Sequence, residues 1–226
     1  MIVLRNLTKI YSYNRIRKAV LRDINVTFPS GKAIGLLGRN GAGKTTLMKV
    51  IAGLSLPTWG EVLTDGDISF PIGIAGSVHP NLTGAQNVRF VARLYGADTD
   101  ALQEFVQDFA ELGHHFYAPV RSYSSGMRSR LSFGINMGLT FDTYLVDEAT
   151  AAGDASFVEK SRALFAERMR RAGAIFVSHS TTQIRAFCEA GAVLERGRLT
   201  YFDDLDEAIW THERNLGIQR KPVTVP

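Results

Sequence analysis

A glycine-rich segment supplies the clearest chemistry in the sequence. An apolar run ends at Gly38, and Gly38, Gly43, Lys44 and Thr45 then match the phosphate-loop pattern GxxxxGK[ST]. Backbone N–H groups hold phosphate oxygens well, and glycines let the backbone approach them closely. The residues predicted to bind a nucleoside triphosphate are Gly38, Arg39, Asn40, Gly41, Ala42, Gly43, Lys44, Thr45 and Thr46.

The residue types of this loop suggest separate roles for its charged and hydroxyl groups. A helix that starts near Lys44 would point the positive end of its dipole at the phosphates. Lys44 should reach the β- and γ-phosphates, and the Thr45 hydroxyl should ligate Mg²⁺. The structural alternative is a simple turn between a strand and a helix. Kinases, GTPases, helicases and transport ATPases all carry such a loop, so the loop alone leaves the class open.

Two adjacent carboxylates close a second apolar run, which begins at Tyr144. The pattern predicts a buried strand that delivers Asp147 and Glu148 to its C-terminal edge, where ligands bind in open α/β sheets. Asp147 could hold Mg²⁺ through water, and Glu148 could act as the general base toward the attacking water. The alternative is a pair of surface carboxylates at a strand end.

Single side chains at other strand ends are less specific. His179 follows the apolar run 174–178 and could contact a γ-phosphate, although a lone histidine there is often structural. Tyr11 follows the first predicted strand and could stack on a base, with Tyr13 behind it, or could simply pack at the sheet edge. The remaining histidines fit no metal-ligand spacing and are assigned no chemistry: His79, His114, His115 and His212.

Small residues precede a predicted helix that ends near Leu139. Ser124, Ser125 and Gly126 would leave amides exposed at the helix start, which makes an anion site. Ordinary serine capping is the structural alternative. The position favours the functional interpretation, since Gly126 lies 21 residues before Asp147.

The pattern around these residues predicts an α/β fold. Strands are expected at 3–11 and 19–28, a helix at 46–54, a helical insertion at about 70–140 with helices at 87–94 and 101–112, a hairpin at 191–202 and a loose tail at 214–226. The basic cluster 15–18 should form a solvated hairpin tip.

Bulk properties narrow the classes of function. A chain of 226 residues suits one folding unit with an insertion, and no uncharged apolar run reaches 18 residues. The charged start predicts cytosolic synthesis without a signal peptide. The single cysteine, Cys188, excludes an internal disulfide and a multi-cysteine metal site. The net charge of +4 could suit an anionic membrane surface or nucleic acid, but the basic residues are scattered, so the charge is a weak indication of a partner.

The order of these motifs along the chain resembles the nucleotide-binding subunit of an ABC transporter. The resemblance implies an α/β P-loop cassette with a mixed sheet core, an N-terminal antiparallel β subdomain and an inserted helical lobe, in a domain spanning 1–213. It also implies the following roles: Gly38–Thr46 as Walker A, Asp147 and Glu148 as Walker B, Ser124, Ser125 and Gly126 as the signature, His179 as the switch histidine, Asp154 as the D-loop aspartate, and Tyr11 as the adenine-stacking residue.

Members of this family use ATP and Mg²⁺, and they work in pairs. The resemblance implies a head-to-tail homodimer in which the signature of one subunit closes over the γ-phosphate held by the other. Physical reasoning agrees, since the phosphate loop and the small-residue helix start are separate anion sites that an isologous pair would bring together twice.

Two short motifs are similar to the polysaccharide-exporting branch of the family. They are His79–Gly84 and the variant D-loop Ala152-Gly153-Asp154. Because the chain stops at Pro226 without room for a sugar-binding domain, capsule export fits better than O-antigen export. This likeness implies a peripheral protein on the cytoplasmic side of the inner membrane, a polytopic permease docked on the helical lobe, periplasmic export components, and no nucleic-acid partner.

The sequence also departs from the family pattern. Ser125 stands where the family usually has a glycine, and Met127 stands where it usually has a polar residue. Residues 71–79 contain no glutamine, although the family usually has one there that senses Mg²⁺ and couples the sheet to the helical lobe. That role is left unassigned and is not given to Gln86.

Two other functions stay open. A soluble ABC-type ATPase acting on nucleic acid or ribosomes would usually carry a second cassette or a coiled coil. A small-molecule kinase would leave Glu148 and the serine-rich helix start unexplained.

Overall fold

The computed structural model describes residues 1–14, 16–72, 78–147, 155–178 and 180–218. Within those ranges the strands are β1 (Ile2–Tyr13), β2 (Ile16–Phe28), β3 (Ala33–Leu37), β4 (Trp59–Thr64), β5 (Thr143–Asp147), β6 (Gly173–Val177), β7 (Ala190–Glu195) and β8 (Arg198–Phe202). The helices are α1 (Lys44–Ile51), α2 (Gly84–Leu94), α3 (Thr99–Ala110), α4 (Ser125–Gly138), α5 (Ala155–Met169), α6 (Thr181–Phe187) and α7 (Leu205–Asn215).

A five-stranded sheet in the order β5-β6-β3-β7-β8 forms the centre of the molecule. Its first four strands are parallel, and β8 is antiparallel to β7. Every residue of β3 and β6 is buried, as expected for the apolar runs that encode strands covered on both faces. Because the parallel strands share one direction, the ends of β3 and β5 lie at the same edge of the sheet.

A second, antiparallel sheet has the order β2-β1-β4. Its buried side chains share one core with the central sheet and with α1, represented by Leu21 on β2, Leu36 on β3 and Leu47 on α1. The first turn of α1 is therefore fixed against both sheets. This packing positions the loop between β3 and α1.

The insertion predicted from the sequence contains α2, α3 and α4, with short 3-10 turns at Gly113–Tyr117 and Val120–Ser122. Phe109 on α3 stacks on Phe133 of α4, with their ring centroids 5.9 Å apart, and also meets Phe157 of α5. The helical lobe therefore joins the main core through an aromatic cluster. The predicted fold class, with its mixed sheet, antiparallel subdomain and helical lobe, is confirmed.

Several local predictions were inaccurate. The prediction of a hairpin tip at 15–18 was wrong for Ile16, Arg17 and Lys18, which belong to β2 and pair with β1. The helix predicted at 46–54 spans Lys44–Ile51, because Gly53 has a φ of 71° just beyond its end. The helix α7 continues to Asn215, two residues past 213, where the sequence placed the end of the domain.

Candidate functional site

The phosphate loop connects β3 to α1, and a backbone hydrogen bond within the loop stabilises its conformation. The amide of Ala42 donates to the carbonyl of Arg39 over 3.0 Å, which closes the loop. Gly43 is the N-cap of α1 with a φ of 110°, a conformation that L-residues with a side chain rarely adopt. Among the described residues no side chain caps this helix. Its first amides can therefore face a bound phosphate.

Lys44 folds back over the loop that precedes it. Its Nζ donates to the carbonyl oxygen of Gly38 over 2.6 Å and to that of Arg39 over 3.2 Å. The ammonium group is thus already held at the mouth of the loop. A short rotation would transfer its hydrogen bonds to phosphate oxygens, as the predicted role requires.

Thr45 and Asp147 meet although they are 102 residues apart in the chain. The Thr45 hydroxyl donates to Oδ2 of Asp147 over 2.9 Å, so the start of α1 touches the end of β5. A hydroxyl and a carboxylate oxygen at this separation are the hard oxygen ligands that Mg²⁺ prefers, completed by phosphate and water. These two residues fit the metal role that the sequence predicted for them.

A cleft of about 440 Å³ opens beside the loop. Its wall combines three parts of the chain: Leu37, Gly38, Arg39, Asn40 and Lys44 at the loop, Ser178 and Thr181 after β6, and His212 and Leu216 at the end of α7. A larger open depression of about 810 Å³ follows α3 on the helical lobe and has an acidic lining. The 440 Å³ cleft is the candidate site because the phosphate loop forms one of its walls.

Tyr11 lies near the loop on the antiparallel sheet. It pairs with Lys18 on β2, and a Cβ added to Gly43 would lie 2.6 Å from Cγ1 of Val20, two residues further along β2. Tyr11 is 44% exposed, and the Nζ of Lys9 lies 5.2 Å from the centroid of its ring. Tyr13 is 77% exposed. Stacking of adenine on Tyr11 stays a prediction.

The predicted signature residues form the N-terminus of α4. Ser124 is the N-cap, and its side chain accepts a hydrogen bond of 3.2 Å from the amide of Met127. Ser124 and Ser125 are exposed, and Gly126 is partly exposed. Met127 packs against the apolar core, which accounts for an apolar residue at a usually polar position. The anion-binding role of this helix start stays a prediction.

Three predicted site residues lie outside the described part of the chain: Glu148, Asp154 and His179. The described residues just before Glu148 and His179 lie beside the loop, since Asp147 contacts Thr45 and Ser178 lines the cleft. Their roles as general base, D-loop aspartate and switch histidine stay predictions.

Gln86 caps the start of α2, which agrees with assigning it no catalytic role. Its Oε1 accepts from the amide of Thr83, whose hydroxyl accepts from the amide of Gln86, a reciprocal cap on α2. The neighbouring Asn87 is buried and bonds the backbone of His79 on both sides. These bonds fix the shape of the His79–Gly84 motif.

The lone thiol takes no part in this chemistry. Cys188 is buried, and burial followed by the charge of Glu189 raises its pKa to about 12. A thiol with that pKa stays protonated at neutral pH and is a poor nucleophile.

Sequence reasoning missed the contribution of α7 to the cleft. His212 was assigned no chemistry because its spacing fits no metal pattern, and spacing carries no information about a helix that packs beside a distant loop. No local sequence pattern marks this contact, because it forms only when α7 packs against β7.

Sequence comparisons with known proteins agree with a nucleotide-binding site. A family profile described as "ABC transporter" matches residues 21–151. The chain is 45% identical to the polysialic acid transport ATP-binding protein KpsT of Escherichia coli, over 92% of this chain and 95% of that protein. It is 41% identical to the ATP-binding protein BexA of Haemophilus influenzae and 40% identical to the capsule polysaccharide export ATP-binding protein CtrD of Neisseria meningitidis, each over 92% of this chain and 96% of the relative.

Solved structures show the same fold. A dimeric ATP-binding cassette in a post-hydrolysis state with ADP and Pi superposes with a TM-score of 0.73 and 22% identity, covering 88% of this chain and 96% of that one. An ATP-binding subunit of an ABC transporter gives a TM-score of 0.77 and 21% identity, covering 98% and 95%. The resemblance inferred from the motifs is confirmed, and the chain belongs to the ABC transporter family as an ATP-binding subunit.

Proposed function

We propose that the chain is the ATPase subunit of an exporter that moves capsular or related cell-surface polysaccharide across the inner membrane. The observation that carries the proposal is 40–45% identity, over more than nine-tenths of the chain, to proteins named for polysialic acid transport and capsule polysaccharide export. The His79–Gly84 motif adds to this support, and its backbone is held by the buried Asn87.

Binding of ATP begins at the loop. The amides at the start of α1 and the ammonium group of Lys44 hold the phosphates, while Tyr11 stacks on the base. Thr45 would ligate Mg²⁺ and Asp147 would hold it through water, and the bound ion would neutralise charge on the phosphates. The chain thus fixes the triphosphate from one side.

Hydrolysis needs a base and donors on the side of the γ-phosphate away from the loop. Glu148, next to Asp147, accepts a proton from the attacking water, and His179 orients the water or the base. Ser124 and the amides after it stabilise the γ-phosphate held by the other subunit. Two copies related by a two-fold axis complete both sites together.

Movement of polymer requires a membrane partner. Among the described residues no helix has the length and apolar character needed to cross a bilayer. We assign the chain to the cytoplasmic face of the inner membrane, docked through its helical lobe to a polytopic permease and linked to periplasmic components. Exposed apolar side chains on α2, Phe90 and Leu94, are the candidate contacts, being 59% and 58% exposed.

Affinity purification from membranes tests this assignment. The tagged chain should recover a polytopic protein, and Phe90→Ser should lose that partner, whereas Trp210→Ser, a change of an exposed aromatic on α7, should retain it. Recovery of ribosomes in place of a membrane protein would contradict the export function and favour a soluble ABC-type ATPase. Equal loss by both variants would contradict docking on the helical lobe.

A further inference from the structure

The C-terminal helix α7 brings two side chains into the nucleotide cleft. His212 and Leu216 line it together with Lys44. Leu37 at the end of β3 pairs with Val193 of β7, the strand against which α7 packs. The end of α7 and the end of β7 therefore lie at the same sheet edge as the phosphate loop.

Within the part of the chain that the structure describes, two buried polar atoms near this edge lack partners. Among the described residues, neither Nδ1 of His212 nor Oε2 of Glu195 at the end of β7 has a hydrogen bond. Buried polar atoms are nearly always paired in folded proteins, and exceptions often mark functional sites. An imidazole nitrogen can carry a proton, and a carboxylate oxygen can accept a hydrogen bond, so each atom could be satisfied by a change in the cleft.

The charges around the imidazole favour its neutral form when the loop is empty. Burial, followed by the charge of Lys44, lowers the pKa of His212, while Glu195 and Glu213 act in the opposite direction. Arg39 is a further cation on the cleft wall. A triphosphate would add several negative charges to this cleft and attract Lys44 toward the phosphates, so the balance would shift toward the imidazolium.

We propose that His212 is a further nucleotide-binding residue, which takes up a proton from solvent when ATP occupies the loop and adds a positive charge beside the terminal phosphate. The proton gives the ring a second N–H donor, and Glu195 compensates the new charge from the β7 side. Because ADP lacks the γ-phosphate that this contact would hold, the contact favours ATP over ADP. The proposal rests on ATP binding by the phosphate loop and names one more residue of that site.

Calorimetry of ATP binding in EDTA, without turnover, measures the proton directly. Repeating the titration at pH 7.0 in two buffers of different ionisation enthalpy gives the number of protons exchanged on binding. The wild-type chain should take up more protons than His212→Gln. Protons exchanged by ATP itself are the same for both proteins, so the difference between them measures the proton on the imidazole. His114→Gln, a change of an exposed histidine on the helical lobe, should behave as the wild type.

Affinity provides the second readout. At pH 6.5, His212→Gln should bind ATP about tenfold more weakly than the wild type, the loss expected for one charge-assisted contact. The loss for ADP should be smaller. If His212→Gln does not fold, Glu195→Gln tests the same charge balance, because its loss should reduce proton uptake. Proton uptake equal to that of the wild type, or ATP affinity equal to that of the wild type, would overturn the proposal.

The controls separate this proposal from the nucleotide site itself. If wild-type protein fails to bind ATP, the phosphate-loop assignment is wrong and this inference is overturned with it. If the wild type binds ATP and His212→Gln exchanges the same number of protons, only the inference about His212 fails.

Discussion

The starts of α1 and α4 are both glycine-containing helix N-termini suited to anions, yet they are built differently. At α1 the N-cap is a glycine, no described side chain caps the first amides, and Lys44, Thr45 and Asp147 converge beside them. At α4 the side chain of Ser124 occupies one amide, and the start is exposed. The start of α1 brings a lysine, a hydroxyl and a carboxylate together beside its amides, whereas the described start of α4 presents serine side chains and amides.

This difference explains why the two regions would act on one phosphate from different subunits. A phosphate bound at α1 gains a lysine and metal ligands, which hold a nucleotide firmly. We expect the exposed start of α4 to bind a phosphate weakly by itself, and therefore to act on a phosphate that is already bound at α1. The variants below test that division, from the largest expected effect to the smallest.

Removal of the predicted general base should have the largest effect. Glu148→Gln should keep ATP binding but lower turnover by about 10²- to 10⁴-fold, because the amide cannot accept the proton of the attacking water. Phosphate release and gel filtration with ATP provide the measurements, and the variant should accumulate as a closed dimer. Wild-type phosphate release would remove Glu148 from this role.

Lys44→Ala tests the binding region. Loss of one charge-assisted contact worth roughly 1.5–3 kcal/mol should weaken ATP binding by about 10- to 150-fold, measured by fluorescent-nucleotide titration. Lys49→Ala, a change in the last turn of the same helix, is the matched control and should leave the affinity unchanged. Equal ATP affinity in the two variants would contradict the loop assignment.

A pair of glycine variants separates the two helix starts. In Gly43→Ala the new Cβ would lie 2.6 Å from Cγ1 of Val20, and the backbone φ of 110° is strained for alanine. The free energy of unfolding should therefore fall by about 1–3 kcal/mol, and the affinity for ATP should fall as well. At Gly126 the nearest atom to a new Cβ would be 3.9 Å away. Gly126→Ala should therefore fold normally and lose turnover only. Equal destabilisation by both changes would show that Gly126 serves the fold.

Substitution of the tyrosines on β1 should have the smallest effect on ATP binding. Tyr11→Ala should weaken ATP binding by several-fold, about 1 kcal/mol, because the adenine loses its stacking surface. Tyr13→Ala, which removes a ring that is 77% exposed, should bind as the wild type. An effect of Tyr13→Ala alone would assign the stacking role to the other ring.

Much of the fold followed from apolar runs and glycines. Strands β3, β5 and β6 are buried along most of their length, so their apolar runs were unambiguous. Strand β4 escaped prediction because only Val62 on it is partly buried, and an exposed strand has no alternating pattern. Helices α5 and α6 were not predicted either.

The site divides in the same way. Contiguous motifs located the phosphate loop, and the order of motifs suggested that Thr45 and Asp147 act together. The contribution of His212 depends on how α7 packs against β7, which is a tertiary contact without a local pattern. The sequence likewise does not show what Gln86 and Asn87 do. Their hydrogen bonds in the structure show that both stabilise the start of α2.

The central claim is that each subunit contributes half of every hydrolytic site, and mixing two inactive variants tests it most directly. Lys44→Ala and Gly126→Asp should each be inactive alone, since homodimers of either lack one half of both sites. An equimolar mixture should form about half heterodimers, each with one complete site, and regain up to about a quarter of wild-type phosphate release. A mixture as inactive as its components, although heterodimers form, would contradict the account.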